Sequence, residues 1–222
     1  MNHDPYALFY DFYAQHYDHD LKQFYLAMIE RHLSDGKFLE MGCGPAFIGI
    51  ELSQKGFEVL ATDISPDFLS LAKTNAKAAK CHLDVAPHNI LDPIPFKVDH
   101  IVMGFDVINH LETLDQFARV FTHMYEALAP GGMVFFDLLN CDYIETMIGY
   151  EETLSLHDEI LTWRISKGPY PCSFRHRLKR HDTVTTLNQR SFDYPTIETL
   201  LHPFNVVDRV HWAERTIYSL KK

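Results

Sequence analysis

The run Phe38-Leu39-Glu40-Met41-Gly42-Cys43-Gly44-Pro45-Ala46, continued by a helical stretch to Val59-Leu60-Ala61-Thr62-Asp63, decides the fold. It reads as a buried strand, a glycine turn, a helix and a second strand ending in an acid. Glycine has no Cβ, so the main chain at the turn can approach a ligand closely. A carboxylate at the end of the second strand can accept hydrogen bonds from both hydroxyls of a ribose. The stretch is therefore expected to hold a nucleoside.

Outward from that unit, strands and helices alternate. Upstream, residues 5–32 read as helical and are crowded with aromatics. Leu21, Phe24, Tyr25, Met28 and Ile29 fall on one helical face. Downstream, Ser65-Pro66 reads as an N-cap followed by proline at the first helical position. A third strand is expected around Cys81 to Val85 and a fourth over Asp99 to Gly104. A helix carrying Leu114, Phe117, Val120, Phe121, Met124 and Leu128 on one face should stop at Pro130-Gly131-Gly132, before a fifth strand over Met133 to Leu139. Such alternation predicts a parallel sheet with helices on both faces.

Beyond Leu139 the rhythm changes. Glu159–Ser166, Cys172–His181 and Val184–Asp193 read as extended runs separated by turns, an antiparallel sheet inserted into the main fold. A short helix over residues 196–202 and two strands, Asn205–Val210 and Arg215–Leu220, complete the chain. The expected organisation is one domain over 1–222, with a helical lid over 1–33 and an antiparallel β insertion over 151–194.

Composition narrows the function. The chain has 222 residues, 46% of them hydrophobic and 23% charged, ordinary for a globular protein with a substantial core. The net charge of −10 argues against nucleic-acid binding, which rests on neutralising phosphates. The charge is uneven: −12 over residues 1–150 and +2 over residues 151–222. Cys43, Cys81, Cys141 and Cys172 form no Cys-x-x-Cys pair, so neither a disulfide framework nor a metal site is expected, and the cytoplasm suits them. No apolar run approaches a membrane span and no targeting signal opens the sequence. The sequence does not decide between a monomer and a homodimer.

The glycine spacing chooses among nucleosides. A dinucleotide fingerprint needs G-x-G-x-x-G. After Gly42 and Gly44 the third glycine would stand at Phe47, and the next one present is Gly49, which is too late. A nicotinamide-dependent oxidoreductase is disfavoured for that reason. The pattern is instead acid-x-G-x-G, with Glu40 two residues before Gly42 and Ala46 at the third small position. This resembles motif I of the class I S-adenosylmethionine-dependent methyltransferases. The likeness continues through Asp63, Asn89-Ile90, the segment from Asp99 through Phe105-Asp106-Val107-Ile108-Asn109-His110-Leu111, and Leu128-Ala129-Pro130-Gly131-Gly132. These motifs cover residues 37–140 in the family's order, and the tail resembles that of its small-molecule branch.

The resemblance implies a Rossmann-like doubly wound α/β sheet of seven strands, order 3-2-1-4-5-7-6, with the last strand antiparallel. It implies S-adenosylmethionine as cofactor, and a small molecule as the acceptor of the methyl group on N or O. No nucleic acid, membrane or metal ion is implied. The cofactor would be held by Glu40, Gly42, Cys43, Gly44, Asp63, Ile64, Asn89, Ile90 and Phe105. His110 and Asp106 are the candidate bases. Tyr13, Tyr17, Asn109, Trp163, Arg175 and Arg177 are candidates to line the acceptor site, with Tyr6 and Tyr10 in a closing lid. If the basic run from Arg175 faces the cleft, it favours an acceptor bearing carboxylate or phosphate. Simpler roles stand beside these: Asp63 as a helix cap, His110 as a packing residue, the aromatic start as core, the basic run as a solvated strand face. A cofactor-binding partner protein without catalysis is the competing function.

Overall fold

The computed structural model describes residues 4–16, 19–156 and 159–222. The first strand, β1 (Lys37–Met41), is buried from Phe38 onward, because a central strand covered by helices on both faces has no solvent side. It is preceded by α1 (Pro5–His16) and α2 (His19–His32). Both lie within the stretch 5–32 expected to be helical, and residues 17 and 18 lie outside the described residues. Leu21, Tyr25, Met28 and Ile29 of α2 are buried against the sheet, as their spacing requires.

After β1 come α3 (Phe47–Gln54), β2 (Glu58–Asp63), α4 (Pro66–Ala78), β3 (Asp84–Pro87) and β4 (Val98–Met103). Ser65 caps α4, its hydroxyl accepting the Phe68 N–H at 3.4 Å, with Pro66 at the first helical position. A 3-10 turn (Val107–His110) leads to α5 (Leu114–Ala127), which opens with a reciprocal capping box between Thr113 and Gln116. Then comes β5 (Leu128–Leu139). It starts earlier than the sequence suggested. Val98 pairs with Leu128 and His100 with Met133, so Pro130-Gly131-Gly132 bulges out within the strand rather than ending the helix before it.

The chain continues through α6 (Cys141–Thr146), β6 (Glu151–Leu156), β7 (Glu159–Lys167), β8 (Ser173–Arg180), β9 (Thr183–Arg190), α7 (Tyr194–Leu200), β10 (Asn205–Trp212) and β11 (Arg215–Lys221). The main sheet has the order β3-β2-β1-β4-β5-β11-β10. β1 to β5 run parallel, and β11 is antiparallel to both of its neighbours. This is the seven-stranded order expected from the sequence.

The inserted sheet, β6-β7-β8-β9, is antiparallel and has four strands rather than three, β6 being the one not anticipated. Its inner face carries Leu161, Trp163, Ile165, Phe174 and Leu178, which pack on Phe9, Leu139 and Ile144. Its outer face carries Arg175, Arg177 and Lys179, all exposed. Cys141 and Cys172, left unpaired by the sequence reading, form a disulfide with Cα atoms 5.2 Å apart. A separation of 31 residues carries no signal of this, and only the docking of the insertion on α6 brings the two together. Among the described residues no helix is long and apolar enough to cross a membrane.

Candidate functional site

A parallel sheet places its ligand site beyond the carboxyl ends of its strands, where β1 and β4 diverge to opposite sides. A cavity of about 410 Å³ lies there. The turn after β1 forms its floor. Gly42 and Gly44 have φ of +66° and +51°, in the left-handed region that favours glycine. A Cβ on Gly42 would stand 2.4 Å from Val107, so the 3-10 turn closes on the glycine directly. A Cβ on Gly44 would meet the Phe68 and Tyr10 rings at 3.8 Å, ordinary van der Waals contact with the cavity wall. Ala46, in the place of the third glycine, is also left-handed at φ +62°.

Two carboxylates brace the turn. Asp63, at the end of β2, accepts the Gly44 N–H at 2.9 Å and the Ser65 N–H at 2.8 Å. Burial raises its pKa, and those backbone donors oppose the rise. Glu40 is 4% exposed, and burial raises its carboxyl to about 8. A Cβ on Gly49 would lie 2.3 Å from its Oε2, so the glycine that came too late for a dinucleotide fingerprint is the one that makes room for Glu40. The same Oε2 is buried without a partner, although Glu40 lines the cavity. An unsatisfied buried acceptor at a cavity wall fits a ligand that brings a donor.

All nine residues proposed for the cofactor line this cavity: Glu40, Gly42, Cys43, Gly44, Asp63, Ile64, Asn89, Ile90 and Phe105. Ile64 is 68% exposed at its lip. The Asn89 side chain accepts the Leu91 N–H at 3.0 Å, which shapes the loop after β3. The sequence reading missed Phe68, His88 and Val107, which share the wall, and Thr185 and Leu187 of β9. The inserted sheet therefore reaches the large cavity. Nothing local in a polar strand such as Thr183–Arg190 signals that.

The helix α1 covers the mouth. The Asp4 N–H donates to Asp67 at 2.8 Å, Thr185 donates to Asp4 at 2.9 Å, and the Tyr10 hydroxyl donates to the Phe105 carbonyl at 2.8 Å. Tyr6 and Tyr10 line the large cavity and also a smaller one of about 80 Å³ behind it. Tyr13, Trp163, Asp106, His176, Glu214 and Arg215 contribute to the smaller cavity. Phe105 and Asp106 are both left-handed, at φ +60° and +56°. That two-residue elbow sends one side chain to each cavity.

The remaining candidates divide. His110 lines the large cavity, and its Nε2 lies 3.1 Å from the Tyr6 hydroxyl. Burial lowers its pKa to about 4 and raises that of Tyr6 well above its ordinary value, so both are neutral. A neutral imidazole already bonded to Tyr6 is a poor general base. Asp106 is held between Gln189 and Arg215, with Arg215 Nη1 at 3.1 Å. Tyr13 and Trp163 line the smaller cavity.

Asn109 does not reach either cavity. It is fully buried, donating to the Arg190 carbonyl at 2.8 Å and accepting the Leu139 N–H at 3.1 Å, so it stitches elements together. Arg175 and Arg177 are corrected as well. Strand alternation turns them to the exposed face, where Arg175 donates to Asn188 at 3.1 Å. The basic run therefore gives no support to an anionic acceptor. Tyr17 lies outside the described residues.

These features form a cavity over a glycine turn at the carboxyl ends of a Rossmann-like sheet. The family model described as a methyltransferase domain matches residues 39–134, the span from β1 into β5. A ubiquinone biosynthesis O-methyltransferase of Nitrosococcus oceani is 31% identical over 146 residues, covering 62% of this chain and 60% of that protein. The chain spans 74%, 56% and 60% of the lengths of three curated relatives it matches. Among solved structures, an S-adenosylmethionine-dependent methyltransferase of Clostridium acetobutylicum superposes with a TM-score of 0.82 at 19% identity, over 97% of this chain and 98% of that one. The amino pentose methyltransferase CalS10 of Micromonospora echinaspora superposes with a TM-score of 0.69 at 15% identity, over 91% and 90%. Residues 39–134 thus resemble a methyltransferase domain, and the chain shares the fold of the S-adenosylmethionine-dependent methyltransferase on which it superposes.

Proposed function

We propose that this protein moves the methyl group of S-adenosylmethionine to nitrogen or oxygen of a small-molecule acceptor seated in the smaller cavity. The observation that carries this reading is the shared wall. Tyr6 and Tyr10 line both cavities, so a group entering the smaller one arrives against the larger one.

The cofactor supplies an electrophilic methyl on a sulfonium. The protein's part is to align donor and acceptor and to keep water out. Gly42, Cys43 and Gly44 would pass main chain beneath the amino-acid portion, and Glu40 would take its ammonium group. Asp63 would take the ribose hydroxyls, each oxygen keeping a lone pair beyond its backbone bond. Ile64, Asn89 and Ile90 would border the adenine. Of the lid expected over residues 1–33, α1 would cover the cavity, fastened by the Asp4 and Tyr10 hydrogen bonds, while α2 packs in the core. Residues 151–194 supply the far wall of the acceptor site.

Isothermal titration with S-adenosylmethionine, followed by assay of S-adenosylhomocysteine release over an acceptor panel, tests this. Absence of binding at high micromolar cofactor ends the reading. Binding without transfer to any acceptor would favour a non-catalytic partner protein.

A further inference from the structure

Tyr6 and Tyr10 line both cavities, and their hydroxyls are committed differently. The Tyr10 hydroxyl donates to the Phe105 carbonyl at 2.8 Å. The Tyr6 hydroxyl lies 3.1 Å from His110 Nε2, and which of the two donates decides what Tyr6 can offer a ligand. A phenol oxygen that accepts from imidazole has one lone pair occupied and a proton to place elsewhere. One that donates to imidazole has its proton fixed and both lone pairs turned away from the ring.

The direction is set from the inserted sheet. The Trp163 indole can only donate, and it gives its N–H to His176 Nδ1 at 2.9 Å, so that nitrogen carries no proton. Burial lowers the His176 pKa to about 4 and keeps the ring neutral. Its proton therefore sits on Nε2, which donates to Gln189 Oε1 at 2.9 Å. The Gln189 amide is thereby turned so that its N–H groups meet Asp106, to which it donates, and His110 Nε2 at 3.4 Å. Facing a donor, Nε2 of the neutral His110 ring is the bare nitrogen, and it accepts from the Tyr6 hydroxyl. One residue from each of β7, β8 and β9 thus fixes the hydroxyl proton of a residue on α1.

Among the described residues the Tyr6 oxygen has no other side-chain partner. Its place is marked by its surroundings. Burial raises the Tyr6 pKa most, and Asp106 of the smaller cavity and Asp63 of the larger one both add to the rise, so the hydroxyl stands between the two spaces. In S-adenosylmethionine the sulfur joins the amino-acid portion, the ribose portion and the methyl group. With the ammonium group at Glu40 and the ribose at Asp63, the methyl has to face the wall shared with the smaller cavity for an acceptor there to reach it. Resting on the methyl-transfer reading, we propose that Tyr6 discriminates between the two forms of the cofactor. Its hydroxyl oxygen, directed by His110, presents the negative end of its dipole at the shared wall and favours the cationic sulfonium of S-adenosylmethionine over the neutral thioether of S-adenosylhomocysteine. A dipole held in place beforehand, in a space walled by rings, acts more strongly on a charge than water does. Tyr6 is the residue that touches the cofactor, and His110, Gln189 and His176 are the residues that position it.

Calorimetric titration of the full chain with S-adenosylmethionine and, separately, S-adenosylhomocysteine tests this without knowledge of the acceptor. Tyr6→Phe keeps the ring and removes only the oxygen. The ratio of S-adenosylmethionine to S-adenosylhomocysteine affinity is expected to fall roughly three- to tenfold in this variant, the range of a single polar contact. Equal loss for both ligands marks a merely structural role and overturns the proposal, as does an unchanged ratio. Nitrogen-15 NMR of the unaltered protein reads the directing step independently of any variant. His110 is expected as the Nδ1–H tautomer with a bare Nε2, and His176 as the Nε2–H tautomer. A His110 protonated on Nε2 overturns the proposal even where Tyr6→Phe fails to fold, because the Tyr6 oxygen would then be accepting from the imidazole. An unaltered protein that binds neither ligand overturns the methyl-transfer reading itself, an outcome separate from an unchanged affinity ratio.

Discussion

Asp63, at the end of β2, accepts the backbone N–H of Gly44, 19 residues earlier, at 2.9 Å. The acid expected to meet a ribose therefore also fixes the turn on which the cofactor would rest. Ser65, not Asp63, caps α4, so the capping role is already filled. Charge-assisted hydrogen bonds of this kind contribute about 1.5–3 kcal/mol each. Asp63→Ala should therefore weaken S-adenosylmethionine binding by roughly tenfold to a hundredfold or more. Calorimetric titration measures it, and an unchanged dissociation constant would leave Asp63 without either role.

The Glu40 carboxyl gives a pH signature. Its pKa in the folded protein is raised from 4.5 to about 8, chiefly by desolvation. Between those values the folded chain keeps a proton that the unfolded chain has lost. This contribution makes stability fall as pH rises through that window, by at most about 1.4 kcal/mol per pH unit. Glu40→Gln should flatten the slope of apo-protein melting temperature against pH between 5 and 8. If Glu40 takes the cofactor ammonium as a carboxylate, binding near pH 7 should release up to one proton, read from titrations in buffers of different ionisation enthalpy. Uptake of protons, or a slope unchanged by Glu40→Gln, would count against it.

Two small residues in the turn should respond in opposite directions. Gly42→Ala places a methyl 2.4 Å from Val107 in a left-handed backbone, and should cost roughly 1–3 kcal/mol. Adding Val107→Ala should recover part of that loss by removing the clash. Ala46→Gly should do the reverse and stabilise by about 1 kcal/mol, because alanine is strained at φ +62°. Chemical denaturation of the single and double variants decides, and a stabilised Gly42→Ala would contradict the packing described.

The Cys141–Cys172 disulfide joins α6 to the turn before β8. Denatured without reductant, the protein should show two titratable thiols, those of Cys43 and Cys81. Loss of the cross-link in Cys141→Ser with Cys172→Ser should lower stability by about 3 kcal/mol. Four free thiols in protein handled without reductant would show that the pair is not oxidised.

The floor and walls of the larger cavity were legible in the sequence because they are local. Glu40, Gly42, Gly44 and Asp63 lie within 24 residues of one another, on a strand, a turn and the next strand, where spacing alone sets geometry. The seven-stranded order followed from the same alternation. The acceptor side is built from contacts over long separations. Gln189 meets Asp106 across 83 residues and Arg215 meets it across 109, and no periodicity encodes either. Asp137 did leave a trace, as a single acid inside the apolar run Met133–Leu139, where an unpaired charge would be expensive. Arg175 and Arg177 misled because a run of cations says nothing about which face of a strand meets solvent, and strand parity assigned them to the outer one.

The left-handed pair Phe105–Asp106 gives the two cavities a common backbone hinge-point, with Phe105 on one side and Asp106 on the other. With both cavities filled as proposed, the two ligands would be linked variables rather than independent ones. Whatever factor acceptor occupancy imposes on cofactor affinity, cofactor occupancy must return on acceptor affinity. An affinity for either ligand has meaning only with the occupancy of the other stated, and a screen for acceptors on the cofactor-free chain measures a different protein from the one that turns over.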